Sequence, residues 1–132
     1  MTVKLNRWSY EHAQKLIRNR QCLLDQRGDW SDHRPSRTAE KRFVEEHGLA
    51  EYGKWHLGED DEIEEHDRRR YKFAYGDFKH VHRCAVLAAE ASAARYKYSD
   101  IELAAVQLHG MLEELRSGKA PAARDHGHVP RV

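Results

Sequence analysis

Histidine and cysteine are the side chains of this sequence whose number and spacing suggest metal chemistry. The chain has 132 residues, of which ten are histidine and two are cysteine. His80 and Cys84 are four residues apart in a segment with helical spacing of apolar residues, so we predict that both side chains lie on one face of a helix. Imidazole nitrogen and thiolate sulfur are common zinc ligands in proteins. His80 and Cys84 are therefore the candidate metal ligands.

A complete zinc site would need more ligands than these two. His82 lies on nearly the opposite face of the predicted helix, so further ligands would have to come from other parts of the chain. Candidates for them are His56, His66 and His109. In the other interpretation, Cys84 is a small buried side chain on the apolar face of the helix. We favour that interpretation and predict no cofactor, with zinc at His80 and Cys84 as the second hypothesis.

Catalytic motifs are absent from the sequence. It contains no GxSxG, HExxH, Walker or GxGxxG pattern. Asp77 could form an acid–base pair with His80 or His82, but an aspartate directly before a predicted helix more often caps it. We therefore predict no catalytic residues and favour a protein that is not an enzyme.

Residues 67–97 combine positive charge with aromatic rings. The segment carries eight basic and three acidic side chains, and such basic side chains contact phosphates while aromatic rings stack on bases. The predicted basic–aromatic surface, for a nucleic acid or another partner, consists of Arg68, Arg69, Arg70, Tyr71, Lys72, Tyr75, Lys79 and Arg83. The acidic run from Glu59 to Glu65 would repel a phosphate backbone. Nucleic-acid binding is therefore the alternative and not the main prediction.

A helical hairpin is the clearest predicted element that could position these side chains. Ser99 and Glu102 have the spacing of a capping box, and apolar residues then recur with helical spacing as far as Leu115. Small residues recur at the same spacing from Phe78 to Tyr96, a stretch rich in alanine, which favours helix. Because only residues 96–98 connect the two segments, we expect the helices to pack antiparallel.

The patterns upstream of the hairpin are weaker. We predict a helix from Ser9 to Asn19 and another that begins at Ser36 or Thr38 and ends before Gly48. Alternating aromatic residues between Tyr52 and Phe78 predict an aromatic-rich loop or short strands. The predicted fold is mainly α. It is a single helical domain, residues 1–118, built on the C-terminal antiparallel hairpin and followed by a disordered tail at residues 119–132.

Charge and composition limit the class of protein. The formal net charge is +1, with 39% apolar and 34% charged residues, which argues against a surface that attracts polyanions everywhere. No stretch approaches the roughly 20 apolar residues of a membrane span, and the start lacks the apolar region of a secretory signal. Two cysteines are too few for a disulfide scaffold. We predict a cytoplasmic protein without a membrane partner, and its low apolar content is compatible with a homo-oligomer.

Four short motifs carry a resemblance to a known family. They are YGKWHLG from Tyr52, YKFAYGDF from Tyr71, VHRC from Val81 and LHGML from Leu108. Over residues 8–115 the chain resembles a family of small bacterial proteins of unknown function, although Ala74 stands where family members often have proline. The resemblance implies no activity. The sequence therefore favours a small, non-catalytic binding or regulatory accessory protein that acts through a protein partner.

Overall fold

A computed structural model of the chain describes residues 3–118. In that range six α-helices and five short strands follow one another. The helices are α1 (Arg7–Arg18), α2 (Trp30–His33), α3 (Arg37–His47), α4 (Leu49–Gly53), α5 (Arg83–Arg95) and α6 (Ser99–Arg116). The strands are β1 (Val3–Leu5), β2 (Cys22–Leu23), β3 (His56–Asp60), β4 (Tyr71–Ala74) and β5 (Val81–His82). A short 3₁₀ helix, Arg68–Arg70, precedes β4.

The fold is mixed α/β, so the prediction of a mainly α fold is wrong. Three strands form an antiparallel sheet in the order β1-β3-β4, in which Gly58 pairs with both Leu5 and Lys72. The strands β2 and β5 form a separate parallel pair, with Cys22 opposite Val81. β1, β2 and β5 have only two or three residues each. Strands this short do not leave an alternating pattern in the sequence.

The C-terminal helices form a hairpin, as their apolar residues predict. α5 and α6 pack against each other and both contribute side chains to the core, among them Ala89, Leu108 and Leu112. The capping-box prediction is less accurate. Ser99 is the first helical residue of α6, and Tyr98 occupies the N-cap position without a side-chain hydrogen bond.

α5 begins at Arg83 and not at Phe78, which changes the geometry of the predicted metal ligands. Phe78 has a φ angle of 72°, and this left-handed conformation does not occur within a right-handed helix. Val81 and His82 are extended and pair with β2. His80 therefore lies outside the helix, and the prediction that it shares a helical face with Cys84 is wrong.

Both predicted N-terminal helices are present, α3 with the predicted boundaries and α1 with a shifted start. α1 begins at Arg7, with Asn6 as the N-cap that accepts a hydrogen bond from the backbone of Ser9. α3 has the expected cap, because the Ser36 hydroxyl accepts a hydrogen bond of 3.0 Å from the Ala39 amide. The helices α2 and α4 have four and five residues and were too short to predict.

The hydrophobic core lies where α1, α5 and α6 meet the antiparallel sheet. Its fully buried large side chains include Ile17, Leu57, Tyr75, Ile101, Leu108 and Leu112. At one edge Phe43 of α3 stacks on Phe78, with ring centroids 4.2 Å apart. No helix within residues 3–118 combines the length and the apolar character that a membrane crossing requires. The tail predicted at residues 119–132 lies outside the described residues.

Candidate metal centre

Four side chains of types that can bind a metal ion come together where the parallel strands β2 and β5 end. Because the strands are parallel, the chain leaves both of them at the same edge. Asp25 follows β2 by two residues, His82 is the last residue of β5, and Cys84 is the second residue of α5. His33, the last residue of α2, completes the group. Each of the four side chains offers one ligand atom, and these atoms all lie within 4.8 Å of one another.

The carboxylate of Asp25 is at the centre of this cluster. Its Oδ2 atom lies 2.7 Å from Nδ1 of His82 and 2.8 Å from Nδ1 of His33. Its Oδ1 atom accepts a hydrogen bond of 2.7 Å from the backbone N–H of Cys84, in the first turn of α5. The sulfur of Cys84 lies 3.8 Å from Nδ1 of His33. Both imidazoles and the thiol therefore face the same carboxylate.

The cluster is buried on three sides and open at His33. The side chains of His82 and Asp25 are 5% and 10% exposed, and Cys84 is 1% exposed. The His33 side chain is 41% exposed. A small ion could therefore reach the cluster past His33, while the other three ligands are held inside the protein.

The charges within the cluster shift the pKa values of its members. Burial raises the pKa of Asp25, but hydrogen bonds from the Cys84 backbone and from His33 and His82 outweigh it and hold this pKa at about 2. Burial and the Asp25 carboxylate together raise the pKa of the Cys84 thiol to about 12. The hydrogen bond to Asp25 raises the pKa of His33. The cluster thus has a negative carboxylate that favours positive charge on its neighbours.

A second layer of polar contacts holds the ligands in place. Arg83 donates to the backbone carbonyl of Asp25 at 2.9 Å and to Oε2 of Glu113 at 2.6 Å, so the segment after β2 is tied to α6. On the far side of the His82 ring, Nε2 lies 2.9 Å from Oδ2 of Asp77. This distance is short enough for an ion pair, but the two atoms are poorly aligned for a hydrogen bond. Nε2 therefore has no hydrogen-bond partner among the described residues.

The arrangement differs from a Cys-His-Asp catalytic triad. In a triad the histidine uses one nitrogen for the nucleophile and the other for the carboxylate. Here one atom, Nδ1 of His33, faces both groups: it lies 3.8 Å from the sulfur of Cys84 and 2.8 Å from Oδ2 of Asp25. The high pKa of Cys84 also keeps the thiol protonated, so it is a poor nucleophile. Donor atoms that converge on one point instead of forming a chain are typical of a metal site.

The predicted metal ligands are only partly brought together. Cys84 is in the cluster, whereas His80 is 42% exposed and its ring nitrogen lies 3.9 Å from Asp77. The three histidines considered as further ligands are elsewhere: His56 is buried against Tyr52, His66 is exposed on a loop and His109 pairs with Glu90. Asp77 hydrogen-bonds the backbone of Lys79 and His80, as a capping residue does, although no helix starts there.

The predicted basic–aromatic surface is divided by its own ion pairs. Arg69 binds Asp67, Arg70 binds Glu59, and Arg83 binds Glu113. Tyr75 is fully buried, and its hydroxyl donates to the backbone carbonyl of Lys54 at 2.6 Å. Lys72 donates to the backbone carbonyl of Arg69. The structure leaves Arg68, Tyr71 and Lys72 together at one cleft, while Lys79 lies at a different one.

Asp25, His33 and His82 are the site residues that the sequence did not identify. Their separations of 8, 57 and 51 residues from one another and from Cys84 match no metal-binding motif. The sequence prediction includes His82 in the helix, on nearly the opposite face from Cys84, whereas His82 ends β5. A strand ending at His82 would have placed it near Cys84, but two residues of strand leave no pattern from which to infer it.

Comparison with known proteins identifies no relative of this chain: no family model, no curated protein and no solved structure matches it. The resemblance to a family of small bacterial proteins therefore stays a prediction. Any conclusion about function must come from the chemistry of the chain itself.

Proposed function

We propose that this protein binds a single zinc ion through Asp25, His33, His82 and Cys84. The observation that carries the proposal is the convergence of four ligand atoms from four chemically suitable side chains within 4.8 Å. Carboxylate oxygen, imidazole nitrogen and thiolate sulfur are all zinc ligands, and four of them complete the tetrahedral coordination of a structural site.

The distances in the cluster are close to those that zinc needs. Around a tetrahedral ion with bonds of about 2.0–2.3 Å, neighbouring ligand atoms are about 3.3–3.8 Å apart. The separation between Cys84 and His33 is already 3.8 Å. Asp25 lies closer to the two histidines, at 2.7 Å and 2.8 Å. Moving Asp25 about half an ångström from the histidines, and drawing together the ligand atoms that lie up to 4.8 Å apart, would exchange these hydrogen bonds for metal bonds.

The surroundings also support a cation at this position. Without a metal, burial and Asp25 raise the pKa of Cys84 and favour the neutral thiol. A bound divalent ion would favour the thiolate instead. If Nδ1 of His82 bound a metal, the ring proton would reside on Nε2, which lies 2.9 Å from Asp77 and would need a small rotation to donate to it. A carboxylate behind a metal-bound histidine orients the ring and strengthens it as a ligand.

A site with four protein ligands has a structural or regulatory role, because catalytic zinc keeps a position open for water or substrate. Here the ion would join the segment after β2 and the short helix α2 to the start of α5. This role agrees with the predicted non-catalytic accessory protein. A cytoplasmic setting, as predicted from the sequence, would keep Cys84 reduced, and both cysteines are free thiols within the described chain.

The test is metal content and cobalt spectroscopy on the full chain with matched variants. We expect one zinc per chain after exposure to zinc and gel filtration, and a thiolate-to-cobalt charge-transfer band when cobalt replaces zinc. Cys84→Ser should lose the band and His82→Asn should lose most of the bound metal. Cys22→Ser and His80→Asn are the matched controls. They should keep the charge-transfer band and the bound metal, because neither residue belongs to the cluster.

Circular dichroism and a denaturant titration of each variant establish that it is folded. Zinc should also raise the melting temperature of the wild type and not that of Cys84→Ser, since a ligand stabilises the state that binds it. Substoichiometric metal in the wild type, or equal loss in His80→Asn and His82→Asn, would rule out this site.

A further inference from the structure

A second concave site lies between α3, the 3₁₀ helix and β4, and one of its lining residues, Arg34, directly follows His33 of the candidate metal cluster. It is a cleft of about 540 Å³, within the range of small-molecule sites. Its walls include Arg34, Arg37, Arg68, Lys72, Tyr52 and Tyr71. We call it the arginine cleft. None of these residues belongs to the cluster of Asp25, His33, His82 and Cys84.

The arginine cleft has more positive charge than the protein neutralises. Among its lining residues Glu40 is the single carboxylate, and it lies 3.9 Å from Nη1 of Arg68. That distance is too long for a hydrogen bond. The Nη1 atom of Arg68 is itself buried and lacks a hydrogen-bond partner among residues 3–118. A buried guanidinium N–H without an acceptor is uncommon and needs a reason.

Two further arginines of the cleft are available to a ligand. Arg34 and Arg37 are exposed, and no ion pair within residues 3–118 involves either of them. Arg69, which also lines the cleft, is different because Asp67 occupies its guanidinium at 2.6 Å. The cleft thus contrasts with the rest of the predicted basic–aromatic surface, in which carboxylates take up the arginines.

We propose that the arginine cleft binds the phosphate group of a small phosphorylated molecule such as a mononucleotide. A guanidinium donates two parallel hydrogen bonds to phosphate oxygens, and Arg34, Arg37 and Arg68 surround one space. A phosphate dianion carries two negative charges and can pair with several arginines at once, whereas a carboxylate carries only one. The rings of Tyr71 and Phe73 form part of the wall and are half-buried, so they offer an apolar face to a base or another organic group.

A small ligand fits better than a nucleic-acid strand. A strand would need a continuous basic path, but Asp67, Glu59 and Glu113 neutralise Arg69, Arg70 and Arg83. Glu59 lies directly opposite Tyr71 in the sheet, and the acidic run continues to Glu65 beyond it. A second phosphate further along a strand would meet this negative charge.

The test is a titration of the full chain with inorganic phosphate, adenosine monophosphate and a single-stranded oligonucleotide, followed by amide chemical shifts. EDTA is present throughout, so that phosphate held by a metal ion does not contribute. We expect phosphate and the mononucleotide to bind, with shifts centred on the backbone around Arg37, Arg68 and Tyr71. The mononucleotide should bind more tightly than phosphate, because the aromatic wall contacts only the former.

Variants locate the binding. Arg37→Gln and Arg68→Gln should each weaken phosphate binding about tenfold, as expected when one charge-assisted contact is lost. Arg18→Gln, an exposed arginine on α1 outside the cleft, is the control and should bind as the wild type does. Equal weakening in all three variants, or no phosphate binding at millimolar concentration, would overturn the proposal. So would tighter binding of the oligonucleotide than of the mononucleotide at physiological salt.

Discussion

The Nδ1 atom of His82 lies 2.7 Å from the Oδ2 atom of Asp25, although 57 residues separate them in the sequence. The second carboxylate oxygen of Asp25 accepts the backbone N–H of Cys84 at 2.7 Å. One side chain from the segment after β2 therefore holds both the end of β5 and the start of α5. This makes Asp25 important for stability whether or not a metal is bound.

We expect Asp25→Ala to lower the free energy of unfolding by at least about 2 kcal/mol, because buried donors on His82 and Cys84 would lose a charged acceptor. The measurement is urea denaturation in the presence of EDTA, so that zinc does not contribute. Asp32→Ala, on the exposed side of α2, is the control and should change stability by no more than about 0.5 kcal/mol. Equal effects of the two substitutions would mean that these hydrogen bonds do not stabilise the fold.

Leu108→Ala should destabilise the protein by about 2–5 kcal/mol, as do other substitutions that leave a cavity in a well-packed core. Leu108 is fully buried, whereas Leu103 on the same helix is 59% exposed. Leu103→Ala is therefore the matched control, and we expect its denaturation midpoint to stay close to that of the wild type. A small effect of Leu108→Ala would place this face of α6 at the surface instead.

Tyr75→Phe should cost about 1–3 kcal/mol although the ring is retained. The Tyr75 hydroxyl donates to the Lys54 carbonyl at 2.6 Å and lies 2.8 Å from Nδ1 of His12. Its removal leaves both part-buried groups without this partner. Tyr96→Phe is the control, because Tyr96 is 60% exposed. Thermal denaturation of the two variants should separate them, and identical melting temperatures would contradict the buried hydrogen bonds.

His56 should make stability depend on pH between about 6.5 and 4. Burial lowers the pKa of His56 from 6.5 to about 4, so the unfolded chain binds a proton in this interval and the folded chain does not. Stability is therefore fully present above pH 6.5 and falls as the pH decreases towards 4. The full loss corresponds to about 3 kcal/mol. Comparison with His56→Gln over this range isolates the effect, since other histidines titrate in both proteins. A parallel pH dependence in the two proteins would contradict it.

The accuracy of the sequence predictions follows the length of each element. α6 has 18 residues, so its apolar stripe repeats often enough to identify the helix and to place Leu108 inside. β5 has two residues, Val81 and His82, and two residues show no period. The helical spacing therefore predicts a helix that begins at Phe78, and the predicted geometry around His80 is wrong as a result. The fold class is wrong because the β2-β5 pair and the sheet β1-β3-β4 are both built from short strands.

The candidate site depended on contacts that the sequence does not encode locally. The sequence singles out Cys84 by its four-residue spacing from His80, although His80 lies outside the helix. Asp25 is one of many acidic residues, and only the parallel pairing of β2 with β5 brings it to Cys84. Arg34 and Arg37 precede or begin α3, far from Arg68 in sequence. The basic segment at residues 67–97 therefore includes Arg68 and Lys72 of the cleft but not Arg34 and Arg37.

The hydrogen bond from the Cys84 amide to Asp25 also has a consequence for the order of folding. It joins residues 59 positions apart, so the first turn of α5 receives this acceptor only after a long loop has closed, a slow kind of step. The rest of α5 can form from local contacts with α6. Hydrogen exchange at the Cys84 amide should therefore report the undocking of the segment after β2, and it should proceed faster than exchange at the centre of α5.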